Sequence, residues 1–360
     1  MENNYCIIMA GGIGSRFWPM STPQKPKQFL DVLGIGKSLL QMTFERLTNV
    51  APENNIFIVT NESYVDIIQE QLPKIDASRI LTEPKRKNTA PCIAYAASKI
   101  YSINSEAVLI VAPSDHLILK EEKFTNIINI AIETATKEER LVTLGVKPTR
   151  PDTGYGYIEF TEQGDILGGQ VKEVKHFTEK PNKEVAELFL KAGNYYWNSG
   201  IFIWKATAIL SALQKFNTPL YDLFKAENGF YNTPTEQTQV NHCFEVCEDI
   251  SIDFAVMENA KNVDVVLANF DWSDLGTWSS LYTHLEKDYN GNAVIGDNVH
   301  MINSTNCIVN LPSNKLALIE GLNDHIVIES ENMLMILNKA DEQNIKKYMV
   351  SMEEKSPSFF

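Results

Sequence analysis

Short apolar runs alternate with stretches whose apolar positions return every three or four residues over the first 150 positions of the chain. Tyr5-Cys6-Ile7-Ile8-Met9 is such a run, ending in glycines, and it predicts a buried strand that enters a turn. Further runs predict strands over 56–59, 79–82, 108–111 and 141–145, and the intervening periodicity predicts helices over 38–49, 62–72, 89–104 and 123–137. That alternation implies an α/β fold with a mostly parallel sheet and helices on both faces. From 153 to 204 the pattern changes to strands with polar turns, among them one over 171–177, with a helix near 182–192. Helical periodicity returns near 205–215 and 238–247. After Asp288-Tyr289-Asn290-Gly291-Asn292 the chain breaks into β-rich pieces at 293–295, 307–309, 316–319, 326–328 and 334–337, closed by a polar helix over 341–352. No strict repeat is visible. The expected division is a large domain over 1–287 and a small C-terminal β-rich domain over 288–360.

The chemistry concentrates where the first strand ends. Met9-Ala10-Gly11-Gly12-Ile13-Gly14-Ser15-Arg16-Phe17 is followed by Pro26-Lys27-Gln28-Phe29. Without side chains at Gly11, Gly12 and Gly14, backbone N–H groups of this loop, with Ser15, can close around a polyphosphate. Arg16 adds a planar donor fork and Lys27 a compact charge. A plain strand-to-helix turn would use the same glycines, and the two cations favour phosphate. A dinucleotide fingerprint fails because Phe17 stands where a third small residue is required. Gly34-Ile35-Gly36-Lys37-Ser38 imitates the end of a P-loop, but its first glycine would fall on Asp31. In an open α/β sheet, ligands sit beyond the carboxyl ends of strands, where the loops at 11, 83 and 113 emerge.

Composition narrows the class. At 360 residues, with 44% hydrophobic and 22% charged side chains, the chain is an ordinary globular one. Its formal charge of −14 argues against nucleic acid or an anionic membrane as partner, so an anionic nucleotide must meet a local cluster of cations. No apolar stretch approaches the roughly 20 residues of a membrane span, and the start lacks a secretion signal, which together with five scattered cysteines points to the cytoplasm. His242, Cys243 and Cys247 lack a fourth ligand and read as packing residues rather than a zinc site.

Eight blocks in one order carry a resemblance: GGIGSRFWPMS with PKQF, EPKRKNTAP at 83–91, APSDH at 112–116, TGYGYIE at 153–159, FTEKP at 177–181, WNSGIF at 197–202, SIDFAVME at 251–258 and DWSDLGTW at 271–278. Over about residues 5–285 the chain resembles the mannose-1-phosphate guanylyltransferases, sugar-phosphate nucleotidyltransferases also called GDP-mannose pyrophosphorylases. The resemblance implies a Rossmann-like nucleotidyltransferase sheet whose sugar-binding portion covers about 150–285. The implied activity is transfer of GMP from GTP to α-D-mannose 1-phosphate, giving GDP-mannose and pyrophosphate, with Mg²⁺. One departure is Lys87, where the family pattern has arginine: charge is kept and bidentate geometry lost.

Site roles follow from both sources. Asp115, after the strand over 108–111, offers a hard oxygen to Mg²⁺, and Asp274 is the second ligand by resemblance; either alone would equally cap a turn. Glu83 ends a strand before Pro84, and a carboxylate there can accept both N1–H and the 2-amino group of guanine. Asn88 and Thr89 stand at a helix start, as supports of base or ribose or as caps. Resemblance assigns Glu179 and Asn198 to sugar hydroxyls, Lys180 to the sugar phosphate and Gly154 to close backbone approach. An extended backbone would send Glu179 and Lys180 to opposite faces, while a surface ion pair is the ordinary alternative. Asp253 is a weaker sugar-site candidate or a helix cap, and Trp197, Trp204, Trp272 and Trp278 read as packing. Lys27 would steady the reacting phosphorus and Arg16 the departing pyrophosphate. Alternatives are a pyrophosphorylase for another hexose phosphate or nucleotide, and a noncatalytic sugar-nucleotide sensor. The β tail reads as a homodimer surface through exposed edges or as a cover for the catalytic domain.

Overall fold

The computed structural model describes residues 1–12, 14–161 and 170–357. Two compact units interleave along the chain: one comprises Met1–Gly11, Thr43–Ser114 and Ile118–Trp272, the other Gly12–Met42, Asp115–Leu117 and Ser273–Phe360.

The first unit is built on a nine-stranded sheet. Its opening half is β1 (Asn4–Met9), β2 (Ile56–Asn61), β3 (Ile80–Glu83) and β4 (Val108–Pro113), in spatial order β3-β2-β1-β4 with every neighbour parallel. Strands buried on both faces must be apolar throughout rather than alternating, which is why β1 and β4 are continuous apolar runs. Parallel neighbours need helical crossovers, supplied here by α1 (Leu39–Leu47), α2 (Val65–Gln71) and α3 (Thr89–Ile103). A fourth helix, α4 (Glu121–Lys137), precedes the strand Leu141–Val146. α3 is buried along most of its length, and its alanines at 90, 94, 96 and 97 leave room for that close packing.

The far half of the sheet is mixed. The eleven-residue strand Tyr195–Lys205 runs antiparallel to both β4 and Leu141–Val146, which itself pairs in parallel with Val263–Ala268. Val171–Thr178 and Tyr157–Phe160 complete the edge as antiparallel neighbours. The parallel expectation thus describes the first four strands. Hairpin-type returns, not helical crossovers, link part of the rest, and local periodicity does not reveal strand direction.

The second unit joins the glycine-loop segment to the C-terminal β region through one apolar core. Phe17, Trp18, Leu30, Leu275, Trp278, Ile308 and Ile326 all belong to it. The β region is a short coil of parallel strands: Ala293–Ile295 pairs with Ile308–Asn310, that strand with His325–Ser330, and Val299–Ile302 with Ala317–Glu320. Met333–Asn338 closes it as an antiparallel edge. Ile308↔Ile326, Val299↔Ala317 and Thr305↔Asn323 share one sequence offset, so a coil repeats although the residues do not. Only a few inward positions of such a coil are constrained by packing.

Candidate functional site

In the second unit, the loop's carbonyls are tied down by its own segment. The Gln28 side-chain amide donates to the Gly12 carbonyl at 2.9 Å, and the Ser21 hydroxyl to the Gly14 carbonyl at 2.6 Å. Ser15 opens the short helical turn Ser15–Phe17, on which Arg16 is exposed. Gly14 adopts φ 59°, and a Cβ built on it would collide with the Cβ of Lys27 and lie 3.0 Å from its backbone nitrogen. Gly14→Ala should therefore strain the loop by about 1–2 kcal/mol and displace Lys27, lowering turnover at least tenfold. Thermal unfolding and turnover check this together; unchanged turnover would refute it.

Lys27 is buried, and each of its three donors has a destination. Its Nζ is 2.8 Å from Asp115 Oδ2 and donates to the backbone carbonyls of Asp274 at 2.6 Å and Leu275 at 3.2 Å. Burial disfavours charge on Asp115, but Lys27 and His116 outweigh it and hold the carboxyl below its ordinary value. The Asp274 carboxylate accepts from the Gly276 N–H at 3.0 Å, so it shapes its own turn as well as presenting oxygen. The turn continues into the helix Trp278–Tyr282, capped reciprocally by Thr277 and Ser280. Trp278 packs 4.8 Å from the Phe17 ring. Phe17, which spoils a dinucleotide fingerprint, thus anchors the Asp274 turn to the glycine loop.

In the first unit, Glu83 ends β3 with 5% exposure. Burial pushes its carboxyl up to about 8, against the opposing pull of the Cys92 thiol and Arg86. Its Oε1 has no hydrogen-bond partner among the described residues, and Oε2 lies 3.5 Å from where a Cβ on Gly11 would sit. Arg86, which sequence reasoning passed over, donates to the Gly11 carbonyl at 2.9 Å and to the Tyr64 hydroxyl at 2.6 Å. Its signal was adjacency to Glu83 within a strand-end motif. Lys87 turns elsewhere and donates to the Cys247 carbonyl at 2.9 Å, a contact for which one point-like donor suffices. Asn88 caps α3 through Thr89 N–H, and the Thr89 hydroxyl accepts from Ile252 N–H at 2.9 Å. These two serve as caps and braces.

The sugar candidates also gather in the first unit. Asn198 donates from Nδ2 to Asp253 Oδ1 at 2.9 Å, while its Oδ1 accepts from the Thr143 hydroxyl at 3.0 Å. Asp253 opens a π-helical turn, Asp253–Met257, and burial followed by repulsion from Glu179 pushes its carboxyl up to about 7. The close-approach glycine is Gly156, where a Cβ would collide with Glu179 Oε2; Gly154 lies in an exposed turn held by Asp152. Glu179 and Lys180 do form an ion pair, contrary to the extended alternation expected for them. The reason is local: Lys180 has φ 45°, which turns its side chain back toward its neighbour. Trp197, Trp204, Trp272 and Trp278 are all buried, and Cys243 and Cys247 pack as free thiols. Among the described residues no group of three or more His, Cys, Asp or Glu forms a metal cage.

Residues 5–291 match the Nucleotidyl transferase family. The chain belongs to that family. Family membership makes it a transferase, and its curated relatives agree: it is 39% identical over 350 residues to a mannose-1-phosphate guanylyltransferase of Salmonella montevideo, covering 95% of this chain and 72% of the relative. It is 38% identical over 356 residues to the alginate biosynthesis protein AlgA of Pseudomonas putida, covering 97% and 71%. Among solved structures, this nucleotidyl transferase superposes with TM-score 0.85 and 27% identity on a protein titled mannose-1-phosphate geranyltransferase from Thermus thermophilus, covering 98% and 99% of the two chains. No helix among the described residues of the nucleotidyl transferase is long and apolar enough to cross a membrane.

Proposed function

We propose that the protein transfers GMP from GTP to α-D-mannose 1-phosphate, releasing pyrophosphate and forming GDP-mannose. The observation that carries this proposal is the Lys27–Asp115 pair, locked onto the carbonyls of Asp274 and Leu275 beside the glycine loop. It concentrates fixed charge where a triphosphate is handled. A phosphate oxygen of the sugar substrate attacks the α-phosphorus as the bond to the β-phosphate breaks, and pyrophosphate departs in line. The attacking group is already an anion near neutral pH, so no protein nucleophile is required. What the chain supplies is position and charge.

Arg16, exposed on its turn, is assigned to the pyrophosphate. Lys27 holds the Asp115 carboxylate and the 274–275 backbone, and an incoming phosphoryl oxygen exchanges for a neutral carbonyl acceptor because the charge-assisted bond is stronger. Asp115 and Asp274 fit Mg²⁺: both offer hard oxygens, and Asp115 is held ionised. When bound, Mg²⁺ supplies charge neutralisation at the phosphoryl oxygens. Glu179, Asn198 and Asp253 are assigned to sugar hydroxyls, and Lys180 to the sugar phosphate. Cytoplasmic location is proposed from the five buried free cysteines.

The test is pyrophosphate release across the four common nucleoside triphosphates and several hexose 1-phosphates, with and without Mg²⁺; strong preference for GTP with mannose 1-phosphate is expected, and no release from any pair would refute the proposal. Glu83 is assigned to guanine. Glu83→Gln should reduce discrimination between GTP and ATP by about 1–3 kcal/mol, or roughly 5- to 150-fold. Unchanged selectivity would remove that assignment.

A further inference from the structure

The antiparallel pairing of Leu141–Val146 with Tyr195–Lys205 is interrupted where the sugar candidates gather. Val142↔Ile203 and Thr143↔Phe202 hold one register, Gly145↔Asn198 and Val146↔Trp197 a second, so Leu144 alone stands opposite Ser199, Gly200 and Ile201. An unshifted register would set Asn198 opposite Lys147. The bulge brings it two places nearer Thr143 and re-aims its side chain. Gly200, at φ 69°, supplies the left-handed residue that the bulge requires.

A bulge disrupts the ladder, and here side chains fasten it instead. Ser199 Oγ accepts from the Ile201 N–H at 3.3 Å, and Asn198 Oδ1 accepts from the Gly200 N–H at 3.2 Å. Thr143 has no exposed surface, and its hydroxyl lies 3.0 Å from Asn198 Oδ1 and 3.1 Å from the Ile201 carbonyl, one proton between two acceptors. Because the Gly200 N–H can only donate, Oδ1 must face the bulge and Nδ2 must face away from it. One N–H of Nδ2 goes to Asp253 Oδ1 at 2.9 Å, and the other has no partner among the described residues. The Asn198 backbone N–H also donates to the Gly156 carbonyl at 2.8 Å. A Cβ on Gly156 would lie 3.5 Å from that of Asn198 and collide with Glu179 Oε2, so the amide and the Glu179 carboxylate flank one bare stretch of backbone.

We propose that Thr143 is a positioning residue for sugar recognition: its hydroxyl pins the Asn198 carboxamide to the bulge and holds the spare N–H of Nδ2, beside Asp253, ready for a sugar hydroxyl. The proposal rests on the assignment of Asn198 to the sugar. Thr143 itself, wholly buried, does not reach the substrate. Without its hydroxyl, Oδ1 keeps only the Gly200 bond, and the carboxamide regains freedom about a torsion that has no sharp preference of its own. Thr143→Val, nearly equal in volume, should raise the mannose 1-phosphate KM roughly 3- to 10-fold, the worth of one net hydrogen bond, and leave the GTP KM in place. Thr143→Ala removes the hydroxyl without adding bulk and should do the same. Thr143→Ser keeps the donor and should stay near the parent value.

The experiment is KM for each substrate at saturating concentration of the other, for the parent enzyme, these three variants, Asn198→Ala and the double variant Thr143→Val with Asn198→Ala, with unfolding midpoints for all. In the double variant the Thr143→Val effect on the mannose 1-phosphate KM should vanish, since no carboxamide remains to be held. A packing role would lower the unfolding midpoint or kcat without that dependence on Asn198. If Asn198→Ala keeps the parent KM for mannose 1-phosphate, the assignment of Asn198 to the sugar fails. If Asn198→Ala raises that KM while Thr143→Val and Thr143→Ala do not, or Thr143→Ser is as impaired as Thr143→Val, or the Thr143→Val effect persists in the double variant, the role of Thr143 fails alone.

Discussion

Lys27→Ala is expected to lower turnover about 10²–10³-fold, the cost of roughly 3–4 kcal/mol for losing one preorganised charge contact. The size follows from how many things Lys27 does. Its ammonium pairs with Asp115 and gathers two carbonyls of the 274–275 turn, so the change removes a cation and loosens both proposed metal-binding segments. Asp115 also loses its chief counter-charge and should titrate higher, leaving it less ionised at neutral pH. Lys27→Arg separates charge from geometry. A guanidinium retains the cation but cannot place three donors on one nitrogen, so most of the loss should persist. Steady-state pyrophosphate release, with circular dichroism to show that each variant is folded, measures both. Near-parent turnover in Lys27→Ala would overturn the proposed role.

The largest stability effect is expected far from that chemistry, at Arg140 and Asp264. Asp264 is 1% exposed within Val263–Ala268, and Arg140 meets it with two donors, Nε to Oδ2 at 2.7 Å and a terminal nitrogen to Oδ1 at 2.5 Å. The Asp264 cross-strand neighbour is Glu173, which makes the arginine's charge more necessary. Arg140→Ala strands a buried carboxylate beside another anion and should destabilise the protein by about 3–5 kcal/mol. Replacing both residues with apolar ones of similar volume should recover much of the stability, since the pair's attraction largely offsets its own desolvation. Urea unfolding of the two single variants and the double variant tests this. Equal loss in the double and in Arg140→Ala would show that the cost lies in packing and not in the abandoned charge.

Legibility differed from residue to residue for physical reasons. β1 and β4 were readable because strands buried on both faces leave apolar runs, unbroken over Tyr5–Met9 and Val108–Pro113, and α3 because its apolar face persists from Thr89 to Ile103. Tyr195–Lys205 was readable as strand but not as antiparallel, since direction leaves no trace in periodicity. Asp115 and Lys27 could be singled out by residue type after a strand and a glycine turn. That Lys27 spends its donors on Asp115 and two distant carbonyls could not, because contacts across 247 and 248 positions are invisible to local pattern. Lys180 misled for the opposite reason: one backbone angle, φ 45°, reversed the alternation an extended chain would give. Arg86 and Asp253 went unassigned or underweighted because their significance lies in partners brought by folding, Gly11 and Tyr64 for the first and Asn198 for the second.

By itself, then, the sequence determined the α/β class, the placement of a glycine loop after the first strand, the break into β-rich pieces near 288 and the residue types available for nucleotidyl transfer. All of these depend on local backbone preference or on side-chain chemistry, which neighbouring residues encode. Tertiary structure decided that segments 12–42 and 273–357 share one core with Phe17 against Trp278, that the tail winds as a coil, and which carboxyls are held charged and which are forced toward neutrality. Those outcomes are set by burial and by the distance between groups remote in the chain, and both come into being only when the chain is packed.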